Sequence, residues 1–152
     1  MIKSSARVCN LISYAHQWLS VALKIIIDSN FLLVPAQLKL DIFEGLMNLV
    51  NQNYEKIVLS TTIDELRSIM ERSAPKLRKQ AELALKLAEK CRIINVDRRH
   101  GETNDDVIIR VAKQKKCLVA TNDSALRKRL RNISVPVVYV RQKSRLELEG
   151  SL

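Results

Sequence analysis

Short apolar runs rich in β-branched residues alternate along this chain with amphipathic stretches, and that alternation leaves few architectures open. Residues 24–27, 57–59, 92–96, 117–120 and 135–140 read as strands. The stretches between them carry helical periodicity: 40–51 places Ile42, Phe43, Leu46, Leu49 and Val50 on one face, and 104–114 and 124–131 each bridge one run to the next. Two consecutive helices, 62–71 and 74–90, separated near Pro75, follow the second strand. Strand–helix alternation of this kind predicts a parallel α/β sheet with crossover helices. At 152 residues the chain fits one domain with a real core. Leu77, Ala81, Ala84, Leu85 and Ala88 form an apolar stripe on the last helix before the third strand. The stripe serves either the core or a second subunit.

Composition removes several function classes. Gly45, Gly101 and Gly150 are the only glycines, so neither a P-loop nor a GxGxxG dinucleotide cradle can be written. Cys9, Cys91 and Cys117 are scattered and odd in number, which suits a reducing, cytoplasmic setting better than a disulfide framework or a paired-cysteine metal site. The stretch from Val8 to Leu23 is broken by Asn10, Ser13, His16, Gln17 and Ser20, so no membrane span or export signal is expected. The net charge of +10 is concentrated. Between residues 107 and 145 lie eleven bases and one acid, Asp123, so the rest of the chain is neutral. Such asymmetry suits a polyanionic partner, although a solvated basic face would look the same. Arg127, Lys128, Arg129, Arg131, Arg141, Lys143 and Arg145 are the candidate contacts to such a partner, most often nucleic acid. Aromatic content of 4% argues against base stacking on a flat platform.

Four acids fall where strands hand over to helices. Asp28 closes KIIID, Glu65 sits in the first turn after IVLSTT, Asp105 opens the helix after DRRHGETN, and Asp123 follows CLVATN. In an open parallel sheet all these junctions share one edge, where ligands bind. Carboxylates gathered there repel one another unless a cation neutralises them, and an oxygen-only set suits Mg²⁺ or Mn²⁺. Each acid also has a purely local reading. Thr62 and Glu65 fit the capping box T-x-x-E, Asp123 fits a helix N-cap, and Asp105 or Asp106 complements a helix dipole. His100, beside Arg98 and Arg99, reads more simply as a solvated loop residue than as a base.

These strings resemble the PIN-domain nucleases. IIIDSNFLL is similar to the family's opening hDTNhhh, with Ser29 in place of the commoner threonine. STTIDELRSI carries the second acid, NDDVIIRVA the third in D-x-x-I-x-x-x-A, and TNDSALRKRL the fourth in T-x-D. VPAQLKLDIFEGL and VPVVYVRQKSRLELEG look most like the branch containing ribosomal-RNA processing endonucleases. The resemblance implies a three-layer α/β/α fold around a five-stranded parallel sheet over 24–145. The resemblance does not account for residues 1–23, which read as a helical extension of unassigned role, and 146–152 read as a tail. It implies hydrolysis of RNA phosphodiesters with one or two Mg²⁺ or Mn²⁺ ions held by Asp28, Glu65, Asp105 and Asp123, leaving 5′-phosphate and 3′-hydroxyl ends. Asn30, Thr121 and Asp106 would support that quartet. The partners implied are RNA, a second copy in a homodimer, and a ribosome-assembly partner. A toxin inhibited by an antitoxin and a non-catalytic RNA-binding scaffold are the competing readings.

Overall fold

The computed structural model describes residues 22–152, so the extension expected at the N-terminus lies, up to residue 21, outside the described residues. The chain runs β1 (Leu23–Ile27), α1 (Ser29–Leu32), α2 (Val34–Leu38), α3 (Ile42–Val50), β2 (Tyr54–Leu59), α4 (Ser60–Arg72), α5 (Pro75–Ala88) and β3 (Arg92–Ile94). It continues through α6 (Asn104–Lys115), β4 (Leu118–Ala120), α7 (Ser124–Asn132), β5 (Val137–Arg141) and β6 (Arg145–Glu149). The strands form one sheet in the order β3-β2-β1-β4-β5-β6, parallel except for the antiparallel β5–β6 pair. The α/β/α fold is as the sequence reads, with one strand more than the five expected.

Both faces of the sheet are buried, which is why the strands read as continuous apolar runs. Ile25, Ile27 and Val58 point into a core shared with Phe31, Leu32, Leu46, Leu66, Ala81 and Ala84 of α1, α3, α4 and α5. Ile26, Ile57 and Leu59 point the other way, against Val107, Ile108 and Val111 of α6 and Leu126 and Leu130 of α7. The apolar stripe of α5 is largely spent here: Ala81, Ala84 and Ala88 are fully buried and Leu77 and Leu85 half-buried, while the exposed Leu83 lies off the stripe. Among the described residues no helix is long and apolar enough to cross a membrane.

The sixth strand occupies residues read from sequence as a tail. Gln142 and Lys143 reverse the chain with left-handed backbone, φ 53° and 56°, so the turn lacks the Asn-Gly or Asp-Gly that announces a hairpin. Leu146 and Leu148 of β6 then pack against the core beside α3. Gly45 makes that approach possible, because a Cβ there would fall 2.7 Å from Leu146 Cδ1. Gly45→Val should therefore push β6 from α3 and cost roughly 1–3 kcal/mol. Chemical denaturation measures the loss, and hydrogen exchange should locate it at 145–149; unchanged protection there would contradict the packing argument.

Candidate active site

The order of the sheet creates the site. From β1 the chain first moves outward to β2 and β3, then returns to place β4 on the other side of β1, so the switch point lies between the carboxyl ends of β1 and β4. Crevices at such points are where open α/β sheets bind ligands. Asp28 leaves one of these two strands and Asp123 the other.

Asp28 is only 4% exposed. Its backbone amide continues the ladder to Ala120 O at 3.0 Å. One carboxylate oxygen accepts from the Ser29 amide at 2.8 Å, capping α1, and the other accepts from the Thr121 hydroxyl at 2.8 Å. Thr121 Oγ1 also accepts from the Asp123 amide at 3.2 Å. A hydroxyl has one proton to give, so Asp28 takes it in preference to Asn30 Oδ1, which lies farther away at 3.4 Å. Asn30 Oδ1 instead accepts from the Asn122 amide at 3.0 Å, and Asn122 Oδ1 accepts from the Val140 amide at 2.9 Å. The ends of β1, β4 and β5 are thus stitched together by side chains the sequence marks only as polar.

The local readings of the other acids separate. The T-x-x-E cap does not form, because α4 starts at Ser60, directly after β2, and Leu59 occupies the N-cap without a side-chain bond. Ser60 Oγ instead accepts from the Val96 amide at 3.0 Å, and Thr62 is buried inside the helix. Glu65 is thereby released from capping, and its Oε2 accepts from Asn104 Nδ2 at 3.1 Å. At α6 the cap is Thr103, in a reciprocal box with Asp106. Asp106 accepts from the Thr103 amide and hydroxyl, each at 2.9 Å, and from Arg129 at 2.6 Å. Those bonds hold its carboxyl down to about 2. Asp106 therefore serves the helix start, while its neighbour Asp105 is left for the crevice. Asp123 does cap α7, its Oδ1 accepting from the Ala125 and Leu126 amides at 2.8 and 3.1 Å.

Electrostatics ties the four acids together. Burial pushes Asp28 from 3.8 up to about 6; the bonds from Thr121 and Ser29 oppose the rise, and the charges of Glu65 and Asp105 add to it. Asp105 is also raised, first by burial and then by the charge of Asp123, with Arg129 opposing. Asp28 thus lies within the fields of Glu65 and Asp105, and Asp105 within that of Asp123. Even so, among the described residues no three His, Cys, Asp or Glu side chains gather tightly enough to hold an ion unaided. The donor set still fits Mg²⁺ or Mn²⁺. It is oxygen-only, and Mg²⁺ usually retains several waters beside one or two carboxylates and the substrate's own phosphates.

Residues 25–143 match the family described as PIN like domain. The chain belongs to that family. It is 34% identical over 120 residues to rRNA-processing protein FCF1 of Saccharomyces cerevisiae, covering 77% of this chain and 59% of that relative. The chain thus spans about three-fifths of that relative's length. Ribonuclease VapC4 of Methanocaldococcus jannaschii is 27% identical over 127 residues, covering 84% of this chain and 97% of that one. Among solved structures, the PIN domain endonuclease Utp24 superposes with a TM-score of 0.70 at 29% identity, covering 88% and 96% of the two chains.

The basic half of this PIN-like domain is less free than its composition suggests. Arg127 and Arg131 face Glu149 at 3.6 and 3.9 Å, Arg141 and Arg145 face Glu147 at 2.7 and 4.0 Å, and Arg129 holds Asp106. Arg127 also lies over the Tyr139 ring, 4.0 Å from its centroid. Of the seven cations proposed for RNA, Lys128 and Lys143 alone have no acidic partner among the described residues. Exposed pairs of this kind are worth little and can be exchanged for phosphate. Sequence reasoning did not single out Asn104 and Asn122 as tethers. The signal available was the tripeptide Thr-Asn-Asp, which occurs at 103–105 and again at 121–123.

Proposed function

We propose that this PIN-like domain is a metal-dependent endoribonuclease that acts in ribosomal-RNA processing. The observation carrying that reading is Asp28, buried at the switch point beside Thr121 and within the fields of Glu65 and Asp105. Uncompensated negative charge at a crevice meant for a polyanion would repel the substrate, so the four acids make sense with a divalent cation between them and the phosphate. Asp28, Glu65, Asp105 and Asp123 would hold Mg²⁺ or Mn²⁺, one ion or two. Such an ion would lower the pKa of a bound water and stabilise charge on the reacting phosphate. Thr121 and Ser29 hold the Asp28 carboxylate in place, Asn30 and Asn122 fix the β4–α7 loop beneath Asp123, and the lysines and displaceable arginines meet the RNA backbone.

The role in ribosomal-RNA processing follows the relative rRNA-processing protein FCF1, the endonuclease activity is in keeping with Utp24, and the role would bring with it a ribosome-assembly partner. A cytoplasmic location is proposed on the cysteines alone, since the unpaired Cys91 and Cys117 suit a reducing compartment. A toxin role is the second reading, favoured by a match spanning 97% of VapC4. Growth arrest on expression, relieved by a co-expressed antitoxin, would choose it.

Cleavage of single-stranded and junction RNA in Mn²⁺, absent in EDTA and absent from Asp105→Asn, is the expected result, with 5′-phosphate ends on the products. No cutting with any divalent ion would leave the scaffold reading in its place. Binding measured in Ca²⁺ should weaken with salt at a log–log slope on the order of −3 to −4, for about five phosphate contacts with a single strand. A slope near zero would remove the backbone-contact account.

A further inference from the structure

Asn104 stands between two groups of opposite demand. Its Nδ2 donates to Glu65 Oε2 at 3.1 Å, and its Oδ1 accepts from the Arg98 guanidinium. A carboxylate can only accept and a guanidinium can only donate, so the amide has one orientation that satisfies both. The start of α6 makes no demand on this side chain, because Thr103 and Asp106 already close its capping box. The loop carrying Arg98 is braced independently. Glu102 accepts from the Arg99 amide at 2.8 Å and from Arg110 at 2.8 and 2.9 Å, and Arg110 also donates to Asp97 O at 2.8 Å. Arg98 has no carboxylate partner among the described residues, and residues 1–21 contain no Asp or Glu to supply one.

Resting on the nuclease reading above, we infer that Asn104 is a positioning residue that fixes the Glu65 carboxylate toward the metal and moors Arg98 at the rim, where its remaining N–H groups take a phosphate of the RNA. Three elements meet through this one amide: α4 supplies the acid, α6 the tether and the β3–α6 loop the cation. Glu65, like Asp105, is neither buried nor tied to its own helix start, and its hold comes from another element, through Asn104. The arrangement separates two jobs, since Asn104 governs metal affinity and Arg98 governs substrate affinity.

The test uses the full chain and measures Mn²⁺ binding by calorimetry without RNA, beside cleavage kinetics. Asn104→Ala should melt within about 3 °C of the wild type, because the helix cap is intact. It should bind Mn²⁺ about 10-fold more weakly, the usual cost of losing a group that orients a ligand, and recover cleavage as Mn²⁺ is raised. Arg98→Ala should keep the wild-type Mn²⁺ affinity and raise KM for RNA, with no rescue by metal. Wild-type Mn²⁺ affinity in Asn104→Ala, or a large fall in melting temperature as its only defect, overturns the inference. If Asp28→Asn loses Mn²⁺ binding and cleavage in the same series, the nuclease reading survives that failure. If Asp28→Asn and the wild type bind Mn²⁺ alike, both fall.

Discussion

Replacing Asp28 by asparagine should abolish RNA cleavage and yet make the metal-free protein harder to melt at neutral pH. The carboxyl is raised from 3.8 to about 6, with burial as the leading cause. In the unfolded chain it titrates near its ordinary value. Below about pH 4 both states hold the proton and the group contributes nothing. As pH rises through the interval up to about 6, the unfolded chain gives up the proton that the folded protein still binds, so stability falls. Above about pH 6 the whole cost is present, on the order of 3 kcal/mol. Asparagine keeps the shape, accepts from Ser29 and can donate to Thr121 Oγ1, without the buried charge. Melting curves in EDTA across pH 4 to 8 should therefore decline for the wild type and stay flatter for Asp28→Asn, with the curves diverging upward through that range. A variant that melts below the wild type at every pH would mean that the buried charge is not the destabilising element.

At Asp123 two roles coincide, and a pair of substitutions should pull them apart. Its Oδ1 caps α7 through Ala125 and Leu126, and its charge acts on Asp105. Asparagine is as good an N-cap as aspartate, whereas alanine is not. Asp123→Asn should keep the melting temperature, and Asp123→Ala should cost about 1 kcal/mol. Both should cut RNA at least about 100-fold more slowly, since removing a metal-binding group costs no less than removing one that merely orients it. Full activity in Asp123→Asn would reduce this residue to a cap and leave the site with three acids.

Much of this arrangement is legible along the chain, and the gaps have physical causes. Asp28, Glu65, Asp105 and Asp123 were readable because each follows a strand, and the ends of parallel strands share an edge whatever the side chains do. The T-x-x-E pattern misled because helix starts depend on where the preceding strand ends, and β2 runs into α4 without a loop. β6 escaped notice because Gln142 and Lys143 adopt left-handed backbone without glycine. The basic stretch looked uncompensated because its partners, Glu147 and Glu149, lie just beyond the window and reach back across the β5–β6 hairpin and to α7.

The repeated Thr-Asn-Asp shows where local information stops. At 103–105 the threonine is the N-cap and the aspartate falls inside the helix; at 121–123 the aspartate is the cap and the threonine lies buried on the end of β4. One asparagine reaches Glu65 across 39 residues, while the other receives the amide of Val140 across 18. The sequence by itself determined the strand–helix alternation, the two-faced core and the edge on which the acids fall, because side-chain periodicity and strand direction are local properties. Only the tertiary structure decided which of two adjacent acids, Asp105 or Asp106, is spent on an arginine, which hydroxyl serves Asp28, and what holds Glu65. Those choices rest on hydrogen bonds a few tenths of an ångström in tolerance between residues that the chain brings together only after the sheet has closed.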